Sequence, residues 1–599
     1  MTILRLFLII ITFLISFYQV IGQGVNSKFG QNRISSKDIN WTIYSTENFD
    51  FYCYDGGAAL AKWLSKNANR IADELEIRMD YRYVGKVQVL IFNSPEDLNQ
   101  SNIGLKDFVF NQGGYNYVIE EKIALAFNGS HSNFEHQFRA GLAELMLAEM
   151  MYGGSLQEKV QSSALLYLPN WFYKGLVAYY SGPWQTEVDD KVRVKIFSKD
   201  FRKFNLLGED ESILAGHSFW FFIANVYGEK SIPEILYITR ISKGYEGAFR
   251  YVTGVSPEII FKDWIDYLEQ YYAGDLENKI QPKRSINLPQ NINNKDFKDV
   301  RLNDKGNQVL FVTDDNGERK IYLSNKRGNA NHLMTVGFKG ISKIANSNYP
   351  LIKWNKKNIA FIYHDGKNLI YQLISAKNEI IDQIELTEFD GIQSFDYLPN
   401  SDRIILSAYK SGQSDIFIFN LKTGKIDTQI TNDEFDDIDV ASGDSSGNKI
   451  LFSSTRGSQD HKYFDVYLLD YKNNTIENLT NTPKINEYQA SRYPSNEYSF
   501  ISDNNGIYNT FGAKEKFERF SKIIVIKNDL VIDSVIIESK YKDSINLFVN
   551  KYDQDSQIRI KKENIDKKYW QIIPVTNYTW SIISRDVSLE DFTEAELIR

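Results

Sequence analysis

Apolar residues follow two different rhythms along this chain. Up to about residue 275 they recur mostly at intervals of three and four. Leu60, Leu64, Ala68, Ile71 and Leu75 do so within Gly57–Met79, and Phe134, Phe138, Leu142 and Leu145 within Phe134–Leu147. That spacing predicts helices with one buried face. A further helix is predicted in Leu168–Ser181, opened by the turn at Pro169. Strands are predicted at Trp41–Tyr54, as one or a pair, and at Lys86–Phe92 and Lys122–Phe127. Two helix starts are marked near residue 250: Ser231-Ile-Pro-Glu234 has capping-box spacing, and Ser256-Pro257 sets an N-cap before a first-turn proline.

Asn278–Asn294, with Pro282 and Pro289, is a polar connector, and the pattern changes after it. Short apolar runs now come in pairs separated by polar loops. They are Gln308–Val312 with Lys320–Leu323, Asn358–Ile362 with Leu369–Leu373, Arg403–Ser407 with Asp415–Phe419, Lys449–Ser453 with Asp465–Leu469, and Tyr498–Ile501 with Gly506–Tyr508. The period is about 45–50 residues, the length of a propeller blade, with turns such as Asn303–Gly306 and Leu398–Asn400 before the first strand. Ile523–Glu538 and Tyr569–Ile582 would add one or two blades, giving six or seven or an incomplete ring. An unrelated stack of hairpins is the other reading.

At 599 residues the chain is long enough for two to four domains. A net charge of −8 argues against nucleic acid and against an anionic membrane surface as principal partners. Met1–Gln23 has the form of an export signal, with Arg5 ahead of the apolar Leu6–Phe17 and a small-residue pattern at Val20–Gly22. An uncleaved anchor is the alternative, although the run is shorter than a membrane span. After signal removal no transmembrane span is expected. The single Cys53 excludes an intrachain disulfide and a cysteine metal cluster.

The candidate chemistry lies in Asn133–Gly182. Arg139-Ala-Gly-Leu-Ala-Glu144 and Leu168-Pro-Asn-Trp-Phe-Tyr-Lys-Gly-Leu-Val-Ala-Tyr179 resemble the two metal-bearing helices of gluzincin peptidases, in the peptidase-MA-like branch. The family patterns are R-H-E-L-x-H and L-P-x-W-x-x-E-G-L-A-x-Y. Ala215–Gly228 and Gly244–Lys262 also resemble that family's closing helices. The resemblance implies an α+β fold over residues 40–275, with Ile123–Phe127 as the edge strand beside the metal helix. It also implies that the metal-centre positions are Ala140, Gly141, Glu144 and Lys174. Zinc hydrolysis needs two imidazoles, a carboxylate ligand and a general base. None of the four residues meets its role, so no catalytic, metal or cofactor site is expected. Glu144 and Lys174 would instead pair where the metal would have been. The repeat wording resembles TolB-type propellers and implies an all-β second domain.

Other motifs are weaker. Gly443-Asp-Ser-Ser-Gly447 fits a nucleophile elbow but sits between two β segments, where a blade turn is expected. His131 and His136 are about 140° apart on a helix and cannot share a metal there; a solvated helix start is expected. His217 is expected in a core or interface.

The expected organisation is a signal peptide at 1–23, an α+β gluzincin-like pseudo-peptidase domain at 40–275, and a linker at 276–294. A TolB-like β-propeller of about six blades at 295–582 and a C-terminal tail at 583–599 follow. The expected function is a non-catalytic, exported envelope protein of a Gram-negative bacterium, periplasmic or outer-membrane associated. It would bind or scaffold protein partners, such as an outer-membrane protein or lipoprotein, in a transport or secretion complex. The alternative is a zinc-dependent or atypical peptidase with an unrecognised active site.

Overall fold

A computed structural model describes residues 39–598 except 102–107, 112–113, 120–121, 154–165, 284–287, 289–291, 293–294, 316, 338–348, 367, 459–461, 494–496, 553–556, 589 and 591–592. The expected export signal at Met1–Gln23 lies outside the described residues. No described helix is long and apolar enough to cross a membrane.

The N-terminal part is built on six strands: β1 (Thr42–Ser45), β2 (Phe49–Cys53), β3 (Val87–Phe92), β4 (Phe108–Asn111), β5 (Gly114–Ile119) and β6 (Lys122–Ala126). Their order is β1-β2-β3-β6-β5-β4, with β2, β3 and β6 parallel. The strand expected at the edge, Ile123–Phe127, is therefore interior. β4 and β5 extend the sheet beyond it, and the edge is β4.

Nine helices are described here: α1 (Ala58–Met79), α2 (Pro95–Gln100), α3 (His131–Tyr152), α4 (Asn170–Tyr180), α5 (Thr186–Phe197), α6 (Glu209–Tyr227), α7 (Ser231–Ser242), α8 (Tyr245–Thr253) and α9 (Pro257–Asp275). The spacing that predicts α1 is the one that buries it, since Leu60, Leu64, Ala68, Ile71 and Leu75 have no exposed surface. They share a core with Val89, Ile91 and Ile123 of the sheet and with Phe134 and Phe138 of α3. The capping-box reading at Ser231 fails: Ser231 is already helical, and its Oγ donates to the Gly228 carbonyl at 2.7 Å. Pro257 does open α9 behind Ser256.

The C-terminal part is a ring of antiparallel sheets. Blade one is β7 (Asp296–Leu302), β8 (Gln308–Asp315), β9 (Glu318–Asn325) and β10 (Ala330–Val336). Blade two is β11 (Leu351–Asn355), β12 (Asn358–His364), β13 (Leu369–Ile374) and β14 (Ile380–Glu385). Blade three is β15 (Gly391–Tyr397), β16 (Arg403–Lys410), β17 (Gln413–Asn420) and β18 (Lys425–Gln429). Blade four is β19 (Asp437–Ser442), β20 (Lys449–Ser454), β21 (Asp465–Asp470) and β22 (Thr475–Asn478). Blade five starts with β23 (Glu487–Arg492), β24 (Tyr498–Ser502) and β25 (Asn509–Lys527), which β26 (Leu530–Glu538) and β27 (Ile558–Pro574) flank on its two sides. Helix α10 (Lys542–Asn550) connects β26 to β27.

The ring closes through the stretch expected as a tail. β28 (Ile582–Val587) and β29 (Glu594–Ile598) pair as a two-stranded sixth blade, and β28 touches both β7 and β23. Ser584 Oγ accepts the Val300 N–H at 3.1 Å and Asp586 the Leu302 N–H at 2.8 Å. On the other side Gln489 Oε1 accepts the Arg585 N–H at 2.9 Å. The strands Ile582–Val587 and Glu594–Ile598, nearly all from the stretch expected as a tail, are thus part of the propeller. Of the stretches expected as extra blades, Ile523–Glu538 and the Tyr569–Pro574 part of Tyr569–Ile582 lengthen the fifth one instead, and Ile582 opens the sixth.

Candidate functional site

The four positions aligned with a metal centre lie on α3 and α4. α3 is buried on nearly every side from His131 to Met151, so it is a central helix and not a surface one. Ala140 has no exposed surface. Gly141 faces β6 so closely that a Cβ there would stand 2.5 Å from Ile123 Cγ2. α4 crosses α6 through glycine: a Cβ on Gly175 would be 2.6 Å from Gly216 Cα, and one on Gly216 would be 1.9 Å from the Trp171 carbonyl oxygen. Trp220 Nε1 locks the crossing by donating to the Phe172 carbonyl at 2.9 Å.

The expected pair of Glu144 with Lys174 does not form. The Lys174 ammonium turns to Glu209 Oε1 of α6 at 2.7 Å. Glu144 meets α4 through its backbone, where its carbonyl accepts the Tyr173 hydroxyl at 3.2 Å. α4 and α6 are held by close backbone approach, and Lys174 faces α6. These residues do not fit a zinc ion: no imidazole stands at either ligand position, and Gly141 has no room for the side chain of a base.

The histidines are buried for other reasons. The start of α3, expected to be solvated, is covered by the propeller. His131 Nδ1 lies 2.7 Å from Asp436 Oδ1, its backbone N–H donates to Asp436 Oδ2 at 2.8 Å, and its ring lies between those of Trp63 and Phe127. Glu135 is buried beside Arg139, Arg70 and Lys462, with Lys462 reaching over from blade four at 3.4 Å. Burial pushes His136 down to about 4 and His217 down to about 3, so both are neutral at pH 7. His217 packs against the Tyr179 and Trp184 rings, in keeping with a core or interface position.

Among the described residues one cluster could offer three metal-ligand groups: Asp415, Asp433 and Asp437. A guanidinium already serves it. Arg456 donates to both Asp437 oxygens at 2.7 and 2.8 Å and lies 3.3 Å from Asp433. The Gly443–Gly447 segment is the β19–β20 turn, in which Asp444 accepts the Asn448 and Lys449 amides at 3.0 and 3.2 Å.

A cavity of about 1060 Å³ separates the helical part from the propeller. Glu187, Lys191 and His217 line it on one side, and Gln393, Lys462 and Tyr488 on the other. The two parts are also joined by direct contacts. Tyr508 donates to Glu187 at 2.6 Å, Thr186 to Asp503 at 2.8 Å, Gln393 to the Asn128 carbonyl at 3.3 Å and Arg193 to the Gly506 carbonyl at 3.3 Å. The cavity walls mix carboxylate, ammonium, amide and aromatic groups. No local sequence pattern marks the cavity, because its two sides are drawn from residues 128–217 and 295–598.

No family model and no curated protein matches the chain. Among solved structures it is similar to a putative TolB from Agrobacterium tumefaciens, at 11% identity over 47% of this chain and 90% of that one, with a TM-score of 0.28. TolB from Acinetobacter baumannii is matched at 14% identity over 45% and 67% of the two chains, with a TM-score of 0.25. An acylaminoacyl peptidase in complex with Z-Gly-Gly-Phe-chloromethyl ketone is matched at 14% identity over 36% of this chain and only 37% of that one, with a TM-score of 0.25. The propeller assignment rests on the sheet order and the closed ring of inner strands.

Proposed function

We propose that the chain is a non-catalytic envelope protein that holds a partner polypeptide between its propeller and a peptidase-like helical domain with no metal centre. The observation that carries this reading is the packing of Gly141 onto Ile123, with Lys174 engaged by Glu209, where a metallopeptidase needs its base and third ligand. Hydrolysis loses its machinery there, while the interdomain cavity keeps a volume suited to a peptide segment. Export to the periplasm and an outer-membrane protein or lipoprotein as partner belong to the same proposal, supported by the form of Met1–Gln23.

Two measurements test it. Metal analysis of the purified protein is expected to find no stoichiometric zinc, and a denatured protein substrate is expected to stay intact. One equivalent of zinc with chelator-sensitive cleavage would overturn the reading in favour of a peptidase. A photo-crosslinking residue at Tyr488 is expected to capture an envelope protein in intact cells that the same residue at Lys377, on an outer turn of blade two, does not.

A further inference from the structure

α6 brings to the interdomain cavity one polar side chain that the fold does not employ. His217 is only 4% exposed, yet it lines the cavity, and among the described residues no group hydrogen-bonds to its ring. Buried polar side chains nearly always have such a partner, so this exception points to a ligand. The ring is held in place from three directions. Gly216, just before it, sits against the Trp171 carbonyl with no room for a side chain, which fixes α6. The Trp184 ring stands 5.1 Å from the imidazole at 83°, and the Tyr179 ring 6.4 Å from it at 82°. Trp184 is itself anchored, stacked on Phe221 at 4.2 Å and donating from Nε1 to Asp189 Oδ1 at 2.9 Å. A ligand that bonds this imidazole therefore has little ordering cost to meet.

Burial, and after it the Lys191 ammonium, keeps the ring neutral at pH 7. A neutral imidazole donates from one nitrogen and accepts at the other. Lys191 is half-buried on α5 and lines the same cavity, and no carboxylate acts on the ring. Val188, Ile213 and Leu214, each about one turn before Lys191 or His217, also line it and lower the local polarity. The other charged groups of α5 on this wall are engaged elsewhere. Lys195 is held by Glu211 and Asp200, and Glu187 accepts the Tyr508 hydroxyl at 2.6 Å. One N–H donor beside one positive charge suits a group with a single negative charge and several acceptor positions, which is a carboxylate. A phosphate carries more charge and would call for more donors.

We propose that His217 and Lys191 form a carboxylate-binding corner of the interdomain cavity, which takes a chain-terminal or side-chain carboxylate of the partner polypeptide; this rests on the reading of that cavity as the partner's seat. The full chain is titrated with N-acetyl-Gly-Gly-Ala bearing a free carboxyl end, with the same peptide amidated, and with amidated N-acetyl-Gly-Glu-Gly. The ring-nitrogen NMR signals of the six histidines are followed, that of His217 being identified by its loss in His217→Phe. The carboxylate-bearing peptides should shift the His217 signal and the fully amidated one should not. A response to the free end alone, or to the glutamate peptide as well, tells a chain end from a side chain as the source. Lys191→Met and His217→Phe should each weaken binding about tenfold, with circular dichroism showing that both keep the fold. No shift at His217, an equal response to the amidated peptide, or carboxylate binding that neither variant weakens would each overturn the proposal. A photo-crosslinking residue at Gln393, on the propeller side of the cavity, separates the two readings in intact cells. Capture of a partner that persists undiminished in Lys191→Met sinks the carboxylate corner alone, whereas no capture in the otherwise natural chain sinks the cavity reading itself.

Discussion

Asp436, just ahead of β19, accepts two hydrogen bonds from one residue of the helical domain: the His131 backbone N–H at 2.8 Å and His131 Nδ1 at 2.7 Å. Both residues are buried, and the contact places a carboxylate at the start of α3, where free amides and the helix dipole favour negative charge. Asp436→Ala strips both bonds and leaves buried donors unsatisfied. We expect a loss of about 1.5–3 kcal/mol in urea unfolding, with faster proteolysis in 278–294 as the two parts loosen. Asp436→Asn keeps one acceptor for the amide and should cost less.

Stability should depend on pH through buried groups in the propeller. Burial pushes Glu487 up to about 8 and Asp503 up to about 6. It raises Asp415 too, reinforced by neighbouring Asp437, and it raises Asp437 against the pull of Arg456. In the unfolded chain such carboxyls titrate near about 4. Between those values the folded chain binds more protons, so these groups add stability as pH falls. His136 and His217 act the other way, because their folded values lie below an unfolded value of about 6.5, so the unfolded chain gains protons first as pH drops. The melting temperature should rise as pH falls from about 8.5 to about 5.5, because the four raised carboxyls together outweigh the two histidines over that window. Glu487→Gln should raise it at pH 8 and flatten the upper part of the profile.

The α4–α6 crossing should tolerate no added methyl. Gly216→Ala drives a Cβ into a backbone carbonyl, so it should cost more than Gly175→Ala, and both more than the ~1 kcal/mol that alanine returns in helix propensity. Overpacking of this kind costs about 1–3 kcal/mol or more, read from chemical denaturation. A neutral Gly216→Ala variant would mean that the helices are further apart than described.

Gly141 and Ile123 should behave as a coupled pair. Gly141→Ala alone is expected to destabilise, and Ile123→Ala should be less damaging in that background than in the natural chain, because it vacates the space the new methyl needs. Additive effects would argue against the contact.

Lys174 should matter little to stability. Its ion pair with Glu209 is partly solvated, with side-chain exposures of 15% and 49%. Lys174→Met is expected to change stability by at most about 1 kcal/mol, and high salt should weaken the pair.

Helix α1 and the two middle strands of each of the first four blades were legible from local pattern. The three-and-four spacing of α1 and the short apolar runs of β12, β16 and β20 are statements about which face is buried, and a residue's neighbours within a turn or a strand suffice to make them. The ring's innermost strands were not legible. β15, β19 and β23 carry polar residues, as in Asp437-Ile-Asp-Val-Ala-Ser442, and those of β15 and β19 bond to the next inner strand, so apolar alternation fades there. Strand pairing was out of reach for a different reason. An alternating pattern shows that Ile523–Val525 is extended, but not whether it founds a new blade or lengthens an old one. Nor does Ile582–Val587 announce that it joins β7, nearly three hundred residues earlier, to complete a six-bladed ring. The loss of metal ligands at Ala140, Gly141, Glu144 and Lys174 is a matter of residue type and was legible under the resemblance, whereas the partner of Lys174 was not. Close Gly175–Gly216 packing brings α6 against α4, and the ammonium meets Glu209 there. The same holds for His131: its helix start looks solvated from the chain alone, and only the propeller folding over it turns it into a buried joint.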